Sequence, residues 1–248
     1  MMFRLDKKVI VLTGAARGLG AAAAKVLEHQ GASLALVDIQ EEELGVLAKQ
    51  SGGTAQAYVA DLSNPKVIHD LVPRIEKDFG RIDILINNAA ICPRKSFIDS
   101  TVEEWNRIMS INAMGPFFFM QAVYPVMRRN GGGKIINVIS ASGQFGAMDK
   151  ASVYSASKGA MIAYSKSVAK ELARYNITVN CFSPGTMETD QINNLPPERK
   201  KEIVEKIILL GRFTSAEEMA PQLAFMCSDE CSFTTGATFD FIGGVYMR

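Results

Sequence analysis

Short runs rich in Val, Ile and Leu, at positions 9–12, 33–37, 55–59, 84–86, 135–139, 178–182 and 238–241, alternate along this chain with longer segments of helical periodicity. No other feature of the sequence restricts the fold as much. A strand joined to the next through a helix pairs with it in parallel, and the helix covers one face of the sheet. Several runs are apolar throughout, as strands covered on both faces are. The spacing predicts helices over 18–30, 41–50, 65–79, 102–128, 153–175 and 215–227. The expectation is an α/β chain, doubly wound, with a seven-stranded parallel sheet and helices on both faces. No repeat or compositional break interrupts the 248 residues, so one domain spanning 1–248 is expected. Segment 185–211 lacks a clear strand or long helix and reads as a substrate-binding loop or lid within that domain.

Charge and composition exclude several classes of function. The 27 Lys+Arg balance 26 Asp+Glu, for a net charge of +1. Nucleic acid and membrane are therefore not expected partners. The most apolar later stretch, 114–127, is interrupted by Gln121 and Pro125. It falls short of the ~20 residues that span a bilayer. The first eight residues carry no long apolar run, so no export signal is read and a cytoplasmic protein is expected. Cys92, Cys181, Cys227 and Cys231 match no zinc spacing, and no metal is expected. His29 and His69, with polar neighbours in predicted helices, read as surface or boundary residues.

Directly after the first strand comes Thr13-Gly14-Ala15-Ala16-Arg17-Gly18-Leu19-Gly20, leading into the helix that starts with Ala21. A helix start offers unpaired backbone N–H groups, and glycines let that backbone approach an anionic pyrophosphate closely. A bland glycine turn is the alternative. The second strand ends in Asp38-Ile39, with Asp38 lying 24 positions after Gly14. A carboxylate there accepts hydrogen bonds from ribose hydroxyls and repels a 2′-phosphate, which points to NAD rather than NADP. Arg17 pulls the other way, toward a phosphate, or is a solvated loop side chain.

Tyr154-Ser155-Ala156-Ser157-Lys158 lies in a predicted helix, where residues four apart share a face. A lysine cation about 4 Å from the phenol, at an effective dielectric near 20, would lower the tyrosine pKa from about 10 by up to ~3. Tyr154 would then act as an acid/base near neutral pH. A tyrosine and a lysine at this spacing also occur on ordinary exposed helices. Upstream, Ser140 and Ser142 follow the strand at 135–139, at the sheet edge where ligands of open α/β sheets bind.

Together these segments resemble the short-chain dehydrogenase/reductase family, a Rossmann-like fold, over essentially the whole chain. Thr13 to Gly20 resembles its TGxxxGxG cofactor loop, including Gly14, Arg17, Gly18, Leu19 and Gly20. Asp61-Leu62 resembles its adenine-contacting pair, and Asn87-Asn88-Ala89-Ala90 its NNAG stretch, with Ala90 in place of glycine. Asn112, Ser140, Tyr154 and Lys158 stand where the family has its Asn-Ser-Tyr-Lys tetrad. Pro184-Gly185-Thr186-Met187-Glu188-Thr189 resembles the PGxxxT segment at the nicotinamide end. Ile242 replaces a common Asp, and 211–218 lacks a usual glycine and proline.

The resemblance implies roles. Tyr154 exchanges a proton with the substrate oxygen, and Ser140 polarises that oxygen; Ser140 is preferred to Ser142 because it stands three residues before Gly143. Lys158 binds the nicotinamide ribose and lowers the Tyr154 pKa, and Asn112 holds a water linking Lys158 to solvent. The expected substrate is a small secondary alcohol, polyol or sugar and its ketone. A 3-oxoacyl thioester reductase, and an NAD-binding regulator or scaffold without catalysis, are the other readings. Arg94 and Lys95 read as a solvated pair, or else meet an anionic substrate group. Phe145, Met148 and Met187 would make the pocket partly apolar. A homotetramer or homodimer is implied, built on 102–128, 153–175 and the last strand, with Val245-Tyr246-Met247-Arg248 reaching a neighbour.

Overall fold

The structure, a computed structural model, describes residues 2–147 and 150–247, apart from the side chains of Asp190 and Gln191. Met148 and Arg248, singled out above, lie outside the described residues. The first half runs β1 (Val9–Thr13), α1 (Gly18–His29), β2 (Ser33–Asp38), α2 (Glu41–Gln50), β3 (Ala55–Val59), α3 (Pro65–Phe79) and β4 (Ile84–Asn87). Next come α4 (Val102–Met109), a π-helical turn (Ser110–Met114), α5 (Gly115–Arg129), β5 (Gly133–Val138), α6 (Ser142–Phe145), α7 (Ser152–Leu172) and β6 (Ile177–Pro184). The chain closes with α8 (Asp190–Asn193), α9 (Pro197–Lys206), α10 (Ala216–Cys227) and β7 (Thr238–Phe241).

The strands pair in the order β3-β2-β1-β4-β5-β6-β7, all parallel. Alternation within β1 shows why both faces must be covered. Ile10 and Leu12 join Leu27, Ile84, Ile136, Phe182 and Leu223 under α1 and α10, while Val11 joins Ile75, Leu85, Phe119 and Val179 under α3 and α5. Register keeps each set in line, with Ile10 opposite Ile84 and Leu12 opposite Ile86. Helix starts are set locally. The Asn64 side chain accepts from Lys66 N ahead of Pro65, Thr101 and Glu104 form a reciprocal capping box, and Ser215 accepts from Glu218 N. Strand order reverses direction at β1 and β4, so their carboxyl ends flank the crevice that such sheets use for ligands.

Two segments differ from the sequence expectation. The helix expected at 102–128 is broken by the π turn, where the Gly115 amide reaches back to the Ser110 carbonyl. Pro116 has no N–H to give the Asn112 carbonyl four residues back, and a Cβ at Gly115 would overlap the Leu62 carbonyl oxygen, so the helix widens as it presses on the loop after β3. Apolar periodicity runs through the break and conceals it. The segment 185–211 is less irregular than its sequence suggests, because Pro197 starts α9 within it.

Candidate active site

Thr13 ends β1 with its side chain turned to the neighbouring strand. Its Oγ1 accepts from the backbone N–H groups of Asn88 (2.9 Å) and Ala89 (3.1 Å), and Asn88 Nδ2 donates to the carbonyls of Thr13 (3.0 Å) and Gly14 (2.9 Å). The loops after β1 and β4 are thereby clamped together. Gly14 has φ +64°, and a Cβ there would come within 2.7 Å of Ala89 Cα; one at Gly20 would overlap the Gly14 carbonyl. At Gly18 (φ +55°) an added Cβ would meet nothing within 4 Å. The loop is thus closed on protein at both ends and open in the middle. There α1 starts with no side-chain cap and no acidic residue in its first turn, while Leu19 is buried in the core. Open glycine backbone at an uncapped helix start fits the pyrophosphate of a dinucleotide.

Asp38 lies at the carboxyl end of β2. Its Oδ2 accepts from Ala16 N (3.0 Å) and its Oδ1 from Ile39 N (2.7 Å) and Gln40 N (3.1 Å), so it braces the glycine loop and keeps acceptor capacity for hydroxyl donors. The exposed Ile39 side chain follows it. Asp61 is exposed and accepts from Ser63 N (2.9 Å), while Leu62 is buried beneath it. Ala90 is exposed and lines, with Arg17, Gly18, Cys92 and Thr189, a cleft of about 710 Å³.

Ser140 follows β5, and the short α6 behind it rests on α7. A Cβ at Gly143 would lie 2.7 Å from the Lys158 carbonyl carbon and 2.8 Å from Gly159 N, so only glycine allows that approach. Ser140 Oγ accepts from Ser142 N (3.2 Å) and Ser142 Oγ (3.0 Å), which leaves its own proton available to a third partner. Lys158 is 1 % exposed, and its Nζ donates to the Val138 carbonyl at 2.7 Å. One residue back on β5, Asn137 Nδ2 donates to Ser165 Oγ at 2.8 Å, and Asn87 Nδ2 fixes the Asn137 amide at 2.8 Å. Ser165 and Lys158 are seven apart on one face of α7, so two polar contacts set the height of the lysine against the strand.

Asn112 sits in the π turn, fully buried. Its Oδ1 accepts from Ile91 N (2.9 Å), and its Nδ2 donates to the Ile91 carbonyl (2.8 Å) and Ser157 Oγ (3.2 Å). Ser157 Oγ donates to the Tyr154 carbonyl (2.6 Å). Asn112 thus links the loop after β4 to the helix that carries Tyr154. Both amide protons are committed to protein acceptors, so its side chain has none for a water beside Lys158.

The electrostatics bring in burial, which the sequence does not show. Burial pushes the Tyr154 phenol well above the usual tyrosine value, the Cys92 thiol adds to this, and the Ser140 hydroxyl acts in the opposite sense. Burial also draws the Lys158 ammonium down from 10.5 to about 8. The ammonium lies 5.8 Å from the phenol ring centroid and is engaged with Val138. A phenol raised in this way favours its neutral form, the one that donates a proton.

Tyr154 and Ser140 open on a cavity of about 300 Å³. Pro184, Gly185, Met187 and Thr189 form one side of it. Gly185 is held close to Phe241, and Met187 is bridged to Thr214. Arg199 and Ile203 on α9 line it too, as do Ile207 just after that helix, Phe145, Arg94 and Cys92. Arg199 and Cys92 were not foreseen as site residues; the amphipathic pattern of 197–206 marks a helix but not which way its face turns. Lys95, by contrast, pairs with Glu104 at 2.7 Å. Among the described residues no cluster of metal-ligating side chains occurs, and no helix is long and apolar enough to cross a membrane.

Comparison with known proteins adds to this geometry. A family model described as enoyl-(acyl carrier protein) reductase matches residues 14–246. The 3-oxoacyl-[acyl-carrier-protein] reductase FabG of Thermotoga maritima is 36% identical over 98% of this chain and 100% of its own. Galactitol 2-dehydrogenase of Agrobacterium fabrum is 34% identical over 98% of this chain and 99% of its own. The crystal structure of a short-chain type dehydrogenase/reductase from Mycobacterium marinum superposes with a TM-score of 0.92 at 30% identity, covering 100% of this chain and 98% of that one.

Proposed function

Because the chain belongs to the short-chain dehydrogenase/reductase family of oxidoreductases, we propose that it transfers hydride between NAD(H) and a secondary alcohol or ketone. The observation that carries this reading is that Tyr154 and Ser140 line one cavity, with the buried Lys158 ammonium 5.8 Å from the Tyr154 ring and an open glycine loop nearby. Bound nicotinamide supplies or accepts the hydride. Gly14, Arg17, Gly18, Leu19 and Gly20 would hold the pyrophosphate, Asp38 and Ile39 the adenosine ribose, and Asp61 and Leu62 the adenine. Asn88, Ala89, Ala90, Pro184, Gly185, Met187 and Thr189 would line the nicotinamide side, with Tyr154 and Lys158 reaching its ribose.

In reduction the Tyr154 hydroxyl gives its proton to the substrate carbonyl oxygen as negative charge develops there. Ser140 donates a hydrogen bond to the same oxygen and holds it in place. Lys158, protonated at neutral pH, stabilises the phenolate that forms. Asn112 acts as a positioning residue through Ile91 and Ser157. The 185–211 segment, with α9, serves as the substrate-binding lid within one domain.

Small polyols, sugars or related hydroxy compounds are the proposed substrates, in keeping with a cavity near 300 Å³. The reductase names among the relatives support 3-oxoacyl thioesters as a second reading. Cofactor and substrate are tested together by following nicotinamide absorbance with NADH and NADPH against a panel of polyols, ketones and a 3-oxoacyl thioester. A higher kcat/KM for NADH is expected from Asp38; a preference for NADPH would overturn that choice, and turnover of the thioester alone would select the second reading.

Four cysteines held as thiols suit a reducing compartment, and the cytoplasm is proposed. A homotetramer or homodimer is supported by exposed Phe97, Ile98, Val102 and Trp105 around the start of α4. Light scattering showing a stable active monomer would remove that assembly.

A further inference from the structure

The wall of the substrate cavity includes one aromatic ring that is propped from behind. Phe145, at the end of α6, lines the space onto which Tyr154 and Ser140 open, and Tyr246, beyond β7, stacks on it with ring centroids 5.4 Å apart and planes at 29°. That spacing lies in the range of offset-stacked aromatic pairs. Both partners are tied to one framework. Gly143 packs α6 against the Lys158 backbone, and Gln144 Nε2 donates to Asp240 Oδ1 on β7 at 2.6 Å, so the residue before Phe145 is joined to the strand that leads to Tyr246. After β7 the Val245 N–H turns back to the Ile242 carbonyl (3.2 Å) and the Leu210 N–H donates to the Gly243 carbonyl (3.2 Å), and both Ile242 and Val245 join the cavity wall. Phe145 remains 39 % exposed, so Tyr246 does not seal it from the cavity. Much of the wall besides is aliphatic, with Ile139, Ile203 and Ile207.

Resting on the hydride-transfer reading above, we infer that Phe145, held in place by Tyr246, is the stop against which an apolar group of the substrate rests, so that this aromatic pair sets how long a chain is accepted beside the reacting carbonyl. An apolar group fits because burial of each of its carbons against aliphatic and aromatic walls is favourable. A fixed stop is selective where a loose one is not. An unstacked phenylalanine turns about its side-chain bonds and yields to a longer substrate, whereas a stacked one meets it as overlap. Phe145 thus touches the substrate and sets specificity, and Tyr246 is a positioning residue that acts through it.

The test measures kcat/KM with NADH and with NADPH over two homologous series, unbranched methyl ketones and 3-oxoacyl N-acetylcysteamine thioesters, each of about four to twelve carbons. The native enzyme should lose roughly tenfold or more at the first member too long for the cavity. Phe145→Ala should move that limit to members roughly two to four carbons longer, and Phe145→Leu should move it less, in the same direction. Tyr246→Ala should raise kcat/KM for members beyond the native limit by roughly 2- to 10-fold, and Tyr246→Phe, which keeps the stacking ring, should restore the native limit. Cooperative thermal unfolding reports whether each variant is folded. A structural role alone lowers every member by the same factor and leaves the limit where it was; that result, in the Phe145 variants or in Tyr246→Ala, overturns the inference while leaving hydride transfer intact. Turnover of polyols with neither series accepted does the same. Failure of every compound with both cofactors overturns the underlying reading, and this inference with it.

Discussion

Replacing Lys158 by methionine keeps an unbranched chain of similar length and removes the buried ammonium. The ordinary lysine value of 10.5 falls to about 8 in the folded protein because the group is out of water. A folded-state value below the unfolded one means that the unfolded chain binds the proton more tightly, so stability rises with pH through this window. Below pH 8 the charged lysine costs the fold about 3 kcal/mol, at roughly 1.4 kcal/mol per tenfold change in proton affinity. The penalty shrinks between pH 8 and 10.5, and by pH 9.5 about 2 kcal/mol of it is relieved. Methionine carries no such dependence, although it leaves the Val138 carbonyl without the Nζ donor, a loss that does not vary with pH. Urea denaturation of both proteins from pH 7 to 9.5 isolates the lysine, because Tyr154 and every other titrating group remain in each. The stability difference should move by about 2 kcal/mol in favour of the native protein as pH rises. Parallel curves, within ~0.5 kcal/mol over that range, would show that the ammonium is not desolvated and would refute the burial argument.

Other perturbations read the same architecture. Gly143→Ala drives a methyl group into the Lys158 backbone; thermal unfolding should show a loss of ~1–3 kcal/mol, and the forced displacement of Ser140 should lower kcat by roughly 100-fold. Native stability in that variant would remove the close approach of α6 to α7. Asn137→Ala strips partners from buried Asn87 and Ser165 and should destabilise by about 2–3 kcal/mol, read from the urea midpoint, whereas a cost near zero would mean that the polar row is not maintained in solution. Ser140→Ala should reduce kcat by ~100-fold or more and Ser142→Ala only severalfold, since the Ser142 hydroxyl is committed to Ser140; the reverse order in steady-state kinetics would transfer the role.

The sheet was legible in the sequence because each strand declares itself locally. Ile10, Val11 and Leu12 are apolar on both faces, and the helices between strands have their own period and caps. Segments whose conformation depends on distant backbone were not legible. The π turn arises where Gly115 meets Leu62, more than fifty residues away, and α9 turns Arg199 toward a cavity built by other elements. For the site, motif spacing located Tyr154, Lys158 and Ser140, whose proximity follows from helix pitch and the strand edge. Pairwise attraction between Tyr154 and Lys158 can be written down from spacing, while the burial that raises the phenol and lowers the ammonium depends on the whole surrounding fold.

The proton carried by Tyr154 is the centre of this account, and Tyr154→Phe tests it most directly because only the hydroxyl is removed. With NADH binding followed by fluorescence and turnover followed by absorbance on the best substrate of the panel, kcat should fall by roughly 100- to 10,000-fold while NADH still binds. Turnover within threefold of the native rate, with cofactor bound, would contradict the account.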